Sequence, residues 1–475
     1  MEKDKNILII GGGIAGLATA YYLKKGLQKG AGSCRITLIE KGSRLGGNII
    51  TERLDGFLIE GGPDCFLSEK PWALALCREL GIEEELLPTK KPSGTTYVYS
   101  DGRLHPLPEG IILMVPTKVL PLIRDSLISW RGKLRMAMEP FIPKRKETAD
   151  ESLAEFVRRR LGEEVLQKIA QPLVAGIHAG DPETMSVRAS FPKFVEMEEK
   201  YGSLVRGMLH RMKAMRSMAK KKDGKRLTMF VALKSGMQLL VDTLTDRIKG
   251  DVTILKDTAV NRIEKEDHHY TVETEGGESL RAHALVVATP AWVAAELLEA
   301  LDEELSGLLK SIPYVSTATV SLGYERDRLS HPMDGFGFVV PEKEGRTIMA
   351  ATWTSSKWEG RAPEGKALIR CFVGGAKRGE LVQLEDVELI RLVKKDLSDI
   401  MGIEEEPLFV RIYRWHRAMP QYTIGHIERV ETIERLCASY SGLYLTGSAY
   451  HGIGISDTVR EAESTAEKVI ATLLG

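Results

Sequence analysis

Three glycines near the start of the chain have the spacing of a nucleotide-binding turn. Gly11, Gly13 and Gly16 form G-x-G-x-x-G directly after an apolar run at residues 7–10. In such a turn the first glycine permits the bend, the second lets a pyrophosphate approach the backbone, and the third allows close helix–strand packing. A helical pattern follows, whose free N–H groups and positive dipole end would face the phosphates. The motif predicts a dinucleotide site; the alternative is a glycine-rich turn in another kind of α/β protein.

A carboxylate ends the next predicted strand, residues 35–40, and two adjacent glycines follow a few residues later. Glu40 ends this strand and is placed to accept a hydrogen bond from a ribose 2′-OH; the alternative is a solvated carboxylate. Arg44, Gly46 and Gly47 then form R-x-G-G, in which a basic side chain and bare backbone suit a second pass along a pyrophosphate. Such an element favours an FAD enzyme of the amine-oxidase superfamily over a nicotinamide dehydrogenase.

Two later turns offer bare backbone to the same ligand. The sequence EGGP at residues 60–63 forms the first of them. Near the C-terminus, Gly447, Gly452 and Gly454 join a predicted strand at 443–446 to a long helix. Two helix N-termini from opposite ends of the chain suit a long ligand such as FAD, with the pyrophosphate at one and the ribityl or pyrimidine part at the other. The alternative for this pair is a coincidental turn.

The composition excludes several classes of protein. The chain has 475 residues, with 66 Lys and Arg against 66 Asp and Glu, so no net charge attracts nucleic acid. Its five cysteines are scattered, which indicates a reducing compartment and neither a disulfide framework nor a metal site. No run reaches the roughly 18 apolar residues of a membrane-spanning helix. We therefore expect a cytoplasmic protein of two or three domains without nucleic-acid partners.

Residues 96–226 differ in pattern from the rest of the chain. Residues 110–142 are apolar with interspersed basic residues, and residues 211–226 are strongly basic. The first stretch fits either a helical subdomain that packs on the protein or a membrane-surface patch around Trp130. The cations expected near lipid headgroups in the second case are Lys118, Arg124, Arg131, Lys133 and Arg135. The basic stretch is either a solvated face or the mouth of a site for an anionic lipid or substrate.

Six segments together carry a family resemblance. Two of them, GGGIAGLATAYYL and EKGSRLGGNI, are common to flavin amine-oxidase-like enzymes. The others are EGGPDCFL, GIHAGDPETMSVRASFP, HRAMPQYTIGH and TGSAYHGIGISDTVREA. The blocks at residues 176–192 and 416–426 are the more specific ones. With them, essentially the whole chain resembles the porphyrinogen oxidases of haem synthesis.

This resemblance implies an α/β protein with a Rossmann-type FAD-binding domain of the amine-oxidase kind, a mixed-sheet substrate domain and a helical membrane-facing domain. The FAD-binding domain is expected over residues 1–70, 227–290 and 427–475. The substrate domain is expected over 71–95 and 291–426, and the helical domain over 96–226. The expected partners are a tetrapyrrole substrate and dioxygen. Peripheral contact with the inner face of the cell membrane, contact with ferrochelatase, and a monomer or a homodimer are left open.

The motif positions also assign residues to the cofactor and the substrate. The residues expected to contact FAD are Gly11, Gly13, Ile14, Ala15, Gly16, Glu40, Lys41, Arg44, Gly46, Gly47, Gly61, Gly62, Pro63, Val260, Thr289, Gly447, Gly452, Ile453, Gly454 and Ile455. Phe372 is expected to stack on a pyrrole ring, Val339 and Met349 to sandwich the macrocycle, and Lys70 to lie near its carboxylates. The alternatives are core packing for the three apolar residues and an exposed charge for Lys70. No side chain is given a catalytic role, because the flavin itself accepts the hydride.

The implied reaction is the six-electron oxidation of protoporphyrinogen IX to protoporphyrin IX by dioxygen, which releases hydrogen peroxide. Oxidation of coproporphyrinogen III by the same mechanism is an alternative, and a four-carboxylate substrate of this kind would favour a more basic pocket. An amine oxidase or a carotenoid desaturase could use the same scaffold. For an amine oxidase, Tyr444 and Tyr450 are the candidates for an aromatic cage facing the flavin. A flavin-containing porphyrin carrier is the alternative outside enzymes.

Overall fold

The structure is a computed structural model that describes residues 5–28, 34–91, 94–108, 111–112, 115–116, 125–147, 149–219 and 227–474. The predicted cations Lys118 and Arg124, and residues 220–226 of the basic stretch, lie outside the described residues.

A parallel sheet of five strands forms the centre of the nucleotide-binding half. Its strands, in spatial order, are Val252–Leu255, Cys34–Ile39, Lys5–Ile10, Ala284–Val287 and Leu443–Leu445. Apolar, mostly β-branched or leucine side chains occupy both faces, as expected for a parallel sheet that is buried on both sides. Ile7 and Ile9 face one core, and Leu8 and Ile10 face another. The strands predicted from the sequence at these places are therefore confirmed.

Helices cover one face of this sheet, and the small antiparallel sheet Val260–Glu266, His269–Thr274 and Ser279–Ala282 forms the core on the other face together with further helices. Those packed on the first core are Ile14–Leu27, Pro71–Glu79, Gln238–Ile248 and Ile455–Leu474. Those on the second core are Ala291–Leu298, Glu303–Lys310 and His426–Ser439. The helix Pro71–Glu79, which the predicted division gives to the substrate domain, thus shares its core with the first strand. The domain boundaries stay a prediction.

A mixed sheet of seven strands forms the second half. Its strands, in spatial order, are Phe409–Pro420, Tyr314–Glu325, Lys366–Gly374, Ile348–Trp353, Gly337–Val339, Thr96–Ser100 and Arg103–Pro106. One face packs in a core with the helix Asp386–Met401. Smaller sheets are formed by Thr51–Leu54 with Phe57–Glu60, by Phe66–Leu67 with Phe230–Leu233 and Leu86–Pro88, by Val260–Glu266 with His269–Thr274 and Ser279–Ala282, and by Ile111–Ile112 with Val115–Pro116.

A helical layer covers the other face of the mixed sheet. Its helices are Trp130–Ala137, Leu153–Arg160, Glu163–Val165, a π-helical turn at Leu166–Ala170, Gln171–His178, Val187–Ser190, Pro192–Tyr201 and Leu204–Ala219. Ser152 and Glu155 form a capping box at the start of the helix Leu153–Arg160. The layer encloses one core that also contains Val339 and Ala350 of the mixed sheet. The predicted α/β fold with a helical region is confirmed.

Candidate functional site

The N-terminal glycine turn combines a tight contact with an open groove. Gly11 has a φ of +110°, which a side chain would strain. A Cβ on Gly16 would lie 1.9 Å from the Gly11 carbonyl oxygen, so only glycine allows this strand–helix approach. A Cβ on Gly13, in contrast, would have only the Gly47 Cα at 4.0 Å. Gly13 therefore borders free space at the N-terminus of the helix Ile14–Leu27.

The R-x-G-G loop lies directly beside this turn. The Gly46 N–H donates to the Gly12 carbonyl at 2.8 Å, and Gly13 and Gly46 form a short parallel bridge. The Arg44 guanidinium donates to the carbonyls of Leu45, Gly47 and Ile49 within its own loop. Arg44 thus fixes the shape of the loop that faces the groove, and Lys41 is exposed beside it.

The Glu40 carboxylate is held by backbone of the same turn. One oxygen accepts from the Gly12 N–H at 2.7 Å, and the other accepts from the Gly42 N–H at 2.9 Å. Glu40 is therefore a structural ligand of the glycine turn. Its contact with a ribose hydroxyl stays a prediction.

The C-terminal turn meets the N-terminal one, as the sequence predicts. Gly447 has a φ of +129°, and a Cβ on it would lie 3.9 Å from the Ala15 Cβ. A Cβ on Gly11 would lie 3.4 Å from Cγ2 of Thr289, at the end of the next strand. Among the remaining predicted cofactor residues, Ile14, Ile453 and Val260 are half-buried, Gly454 is exposed, and Ile455 begins the C-terminal helix as a buried residue.

The EGGP turn is anchored to the mixed sheet. A Cβ on Gly62 would lie 1.6 Å from the Asn48 carbonyl oxygen, which explains glycine there. The Gly61 carbonyl accepts from Thr319 Oγ1 at 3.0 Å and from Trp415 Nε1 at 2.9 Å. Pro63 follows half-buried. Two strands of the mixed sheet therefore hold the turn next to the nucleotide-binding half.

An apolar line crosses the mixed sheet beside this turn. Val339 pairs with Ala350, and Ala350 pairs with Phe372 on the next strand, so the three side chains share a face. Gly176, in the helix Gln171–His178, lies over them, since a Cβ on it would approach Ala350 and Val339 to 3.2 and 3.3 Å. Met349 lies at the bulge next to Ala350. The structure thus brings the three predicted apolar substrate residues together, and their contact with a substrate stays a prediction.

A buried charged cluster supports the site from beneath. The Arg370 guanidinium lies 4.8 Å from the centre of the Phe372 ring and donates to the Gly62 carbonyl. Asp64 accepts from Lys357 Nζ at 3.3 Å and from Trp358 Nε1 at 3.0 Å. Burial alone would raise the pKa of Asp64, but the charges of Lys357 and Arg370 and the Trp358 hydrogen bond hold it well below its usual range. The cluster keeps the EGGP turn and the apolar line in fixed relation.

Charged groups gather near Lys70. Its ammonium pairs with the buried carboxylate of Asp457, in the first turn of the C-terminal helix. The preceding residue, Glu69, pairs with Arg211 at 2.5 Å and Lys193 at 3.3 Å. We call Lys70, Lys193 and Arg211 the cationic rim. It carries three positive charges against the two carboxylates of Glu69 and Asp457.

His178 links this rim to the apolar line, because it ends the helix that lies over Val339 and Ala350. Its ring lies 5.5 Å from that of Phe191. Burial, and then the charge of Lys70, lower the pKa of His178 to about 4, so the imidazole is neutral near pH 7.

Several residues at the site are absent from the sequence-based assignment. Asp457, Arg370, Thr319, Trp415, Tyr422 and His426 contact the predicted turns only through the tertiary structure. The sequence did carry one signal for two of them, since Tyr422 and His426 lie in the family-specific block at 416–426. It could not show which turn they contact.

The expected amine-oxidase cage and part of the expected membrane patch do not form. Tyr444 donates to Thr472 at 2.6 Å, and the Tyr450 ring is buried in the second sheet core, so they do not face a common ligand.

Lys133 is buried and donates to the Asp125 carbonyl, and Arg135 donates to carbonyls of the helix Leu153–Arg160. The prediction that Lys133 faces headgroups is therefore wrong, because this cation is buried on a backbone oxygen of the helical layer, whereas Arg135 is half-buried and its contact with headgroups stays a prediction. No helix in the described part of the chain combines the length and apolarity needed to cross a bilayer.

The glycine-lined groove fits a flavin dinucleotide. Free space at Gly13 and the open face of Gly447 lie on one continuous wall, and two helix N-termini end there. Residues 14–470 match the model of the family described as flavin containing amine oxidoreductase.

Individual relatives agree with this match. Coproporphyrinogen III oxidase of Bacillus subtilis strain 168 is 36% identical over 475 residues, 99% of each chain. Protoporphyrinogen oxidase 1, chloroplastic, of Arabidopsis thaliana is 29% identical over 97% of this chain and 87% of its own. A crystal structure from Exiguobacterium sp. 255-15 superposes with a TM-score of 0.86 at 33% identity over 99% of both chains. The chain belongs to the flavin containing amine oxidoreductases, which use FAD, and within them to the porphyrinogen oxidase family.

Proposed function

We propose that this protein oxidises coproporphyrinogen III to coproporphyrin III with FAD and dioxygen. The cationic rim carries the proposal, because it gathers three cations against two carboxylates near His178, which ends the helix over the apolar line. The Bacillus subtilis relative, which bears this activity in its name, supports it. The preference for protoporphyrinogen IX drawn from the sequence stays a competing prediction, supported by the name of the more distant Arabidopsis thaliana relative.

The overall reaction removes six electrons and six hydrogens from the porphyrinogen and reduces three dioxygen molecules to three hydrogen peroxide molecules. FAD supplies hydride acceptance and the subsequent reaction with dioxygen when it is bound. The protein's own task is orientation. Val339, Ala350 and Phe372 form an apolar line, and the half-buried Phe372 is its more open part, since Gly176 packs closely over Val339 and Ala350.

The rim distinguishes the two substrates by charge. Coproporphyrinogen III has four carboxylates and protoporphyrinogen IX has two. Lys70, Lys193 and Arg211 are each at least a quarter exposed, so each pairing with a carboxylate contributes only about 0.2–1 kcal/mol. The three cations can form one more pair with a four-carboxylate substrate than with a two-carboxylate one, which would favour the former by about 0.2–1 kcal/mol, roughly 1.4- to 5-fold in kcat/KM.

The decisive experiment measures the initial rates of the purified holoenzyme with both porphyrinogens under the same conditions. Coproporphyrinogen III should have the higher kcat/KM, and its advantage should shrink as ionic strength rises because exposed charges are screened. The Arg211→Met variant should lose more with coproporphyrinogen III than with protoporphyrinogen IX. Arg391→Met is the matched control, since Arg391 is an exposed arginine paired with Glu388 on the helix Asp386–Met401. A higher kcat/KM for protoporphyrinogen IX would overturn the proposal and support the competing prediction.

A second proposal concerns the exposed end of the helical layer. Trp130, Leu134, Met138 and Phe141 recur at helical spacing, and Trp130 and Phe141 are 69% and 82% exposed. Arg131 is exposed beside them. A contiguous apolar patch of this kind, with an amphipathic aromatic ring, suits the surface of an anionic membrane. We expect a Trp130→Ser, Phe141→Ser double variant to sediment less with phosphatidylglycerol vesicles than the wild type. Equal sedimentation of both proteins would reject the membrane contact. Contact with ferrochelatase and the oligomeric state stay predictions.

A further inference from the structure

A short segment at residues 421–426 lies between the C-terminal glycine turn and the helical layer. Its Tyr422 side chain is buried at 4% exposure. The Tyr422 hydroxyl donates to the Ser448 carbonyl at 2.7 Å and accepts from the Gly452 N–H at 2.7 Å. It therefore bridges two points of the turn that runs from Gly447 to Gly454.

His426 reinforces this bridge. Its ring stacks on that of Tyr422 at 3.9 Å between ring centres and 13° between planes. Nε2 lies 3.0 Å from the Tyr450 carbonyl, which can only accept, so Nε2 carries the proton. Two stacked rings thus hold three backbone groups of one turn, at Ser448, Tyr450 and Gly452.

The same segment also binds the helical layer. The Tyr422 carbonyl accepts from the Ser186 N–H at 2.8 Å, and the Ile424 N–H donates to the Thr184 carbonyl at 3.1 Å. Gln421 Nε2 donates to the carbonyl of His178, the last residue of the helix over the apolar line, at 3.1 Å. Tyr422 therefore joins the flavin-side turn to the wall of the cleft.

We propose that Tyr422 is a positioning residue that preorders the C-terminal glycine turn for FAD. Gly447 and Gly452 have φ values of +129° and +142°, and glycine at such positions leaves many other backbone states accessible. Without the hydroxyl bridge, the turn would lose two hydrogen bonds. FAD binding would then have to supply the free energy that orders the turn, which weakens the binding. This inference rests on the flavin cofactor and does not depend on which porphyrinogen is oxidised.

The test compares two tyrosine-to-phenylalanine variants of neighbouring rings. Tyr422→Phe removes the bridging hydroxyl. Tyr450→Phe is the matched control, because the Tyr450 hydroxyl is buried and has no hydrogen-bond partner among the described residues. The apoproteins are titrated with FAD, followed by flavin fluorescence, and their thermal midpoints are recorded with and without saturating FAD. We expect the Kd for FAD to rise about tenfold in Tyr422→Phe, and to stay within about twofold of the wild type in Tyr450→Phe.

The thermal midpoints separate positioning from a structural role. A positioning role shrinks the rise in midpoint that saturating FAD produces, because weaker binding stabilises the folded state less at the same concentration. A purely structural role lowers the midpoints with and without FAD equally and leaves the Kd unchanged, which would overturn the proposal. If Tyr422→Phe does not fold, His426→Phe is used, since it keeps the ring stacking and removes one hydrogen bond to the turn. Its Kd for FAD should rise about threefold, and an unchanged value would overturn the proposal equally.

Discussion

Two glycines three residues apart should respond to the same substitution in opposite ways. Gly16 packs against the first strand, where an added Cβ would lie 1.9 Å from the Gly11 carbonyl oxygen. Gly13 borders the groove, where an added Cβ would meet nothing closer than 4.0 Å, and its φ of −71° suits alanine. We expect Gly16→Ala to destabilise the apoprotein, and Gly13→Ala to spare the apoprotein but weaken FAD binding.

The magnitudes follow from these distances. Real Cβ atoms essentially never approach a neighbour closer than 3.0 Å, so Gly16→Ala must move the helix or the strand by about 1 Å. Overpacking of this kind costs about 1–3 kcal/mol of folding stability. Gly13→Ala replaces one N-cap residue by another and should cost less than about 1 kcal/mol in the apoprotein. Its methyl group, however, occupies the approach to the pyrophosphate, and a similar overpacking cost there weakens FAD binding about 5- to 150-fold.

Thermal unfolding of the apoproteins checks the predicted changes in stability, and FAD titration followed by flavin fluorescence checks the predicted changes in affinity. The wild type and the Gly307→Ala variant serve as references, because a Cβ on Gly307, in the helix Glu303–Lys310, meets no atom within 4 Å and its φ is not positive. If Gly13→Ala binds FAD as tightly as the wild type, the groove does not hold the pyrophosphate. If Gly16→Ala leaves the apoprotein midpoint unchanged, the argument from close packing is wrong.

Three further predictions test the cleft and its support. Phe372→Ala should reduce kcat/KM about 30-fold, because a ring contact of about 80 Å² at about 25 cal/mol per Å² contributes about 2 kcal/mol. Lys70→Ala should reduce kcat/KM less than about 5-fold, because an exposed ion pair contributes little. Equal losses in steady-state kinetics would contradict this ranking. Asp64→Asn should lower the free energy of unfolding in urea by about 3 kcal/mol, because it leaves the buried cations of Lys357 and Arg370 without their carboxylate. A change under about 1 kcal/mol would show that Asp64 does not stabilise these two cations. The pKa of His178 is lowered to about 4 from about 6.5 in the unfolded chain, so stability should fall between pH 6.5 and pH 4, where only the unfolded chain takes up the proton. The thermal midpoint of His178→Phe should fall less over that window, and an equal fall would contradict the assignment.

Local features of the site could be predicted from the sequence because they depend on residues close in the chain. The spacing of Gly11, Gly13 and Gly16 predicts a bend at Gly11 and a close contact five residues later at Gly16, and the structure places both there. The continuous apolar run at residues 7–10 predicted a buried strand, and the structure buries this strand on both faces. Even the meeting of the two distant glycine turns followed, since each ends a strand of a parallel sheet at the same edge.

The sequence could not predict contacts whose partners come from separate parts of the chain. Nothing near Lys70 in sequence indicated that Asp457 would neutralise it, and nothing near Lys133 indicated that it would turn inward to a carbonyl. A cation's direction depends on which oxygens the folded chain brings within reach. The sequence therefore determined the cofactor class and the elements that hold it, because glycine spacing and apolar periodicity act locally. The tertiary structure alone decided that Tyr422 bridges two points of the C-terminal glycine turn and that Lys70, Lys193 and Arg211 gather around Glu69 and Asp457, because both arrangements arise where three distant segments pack together.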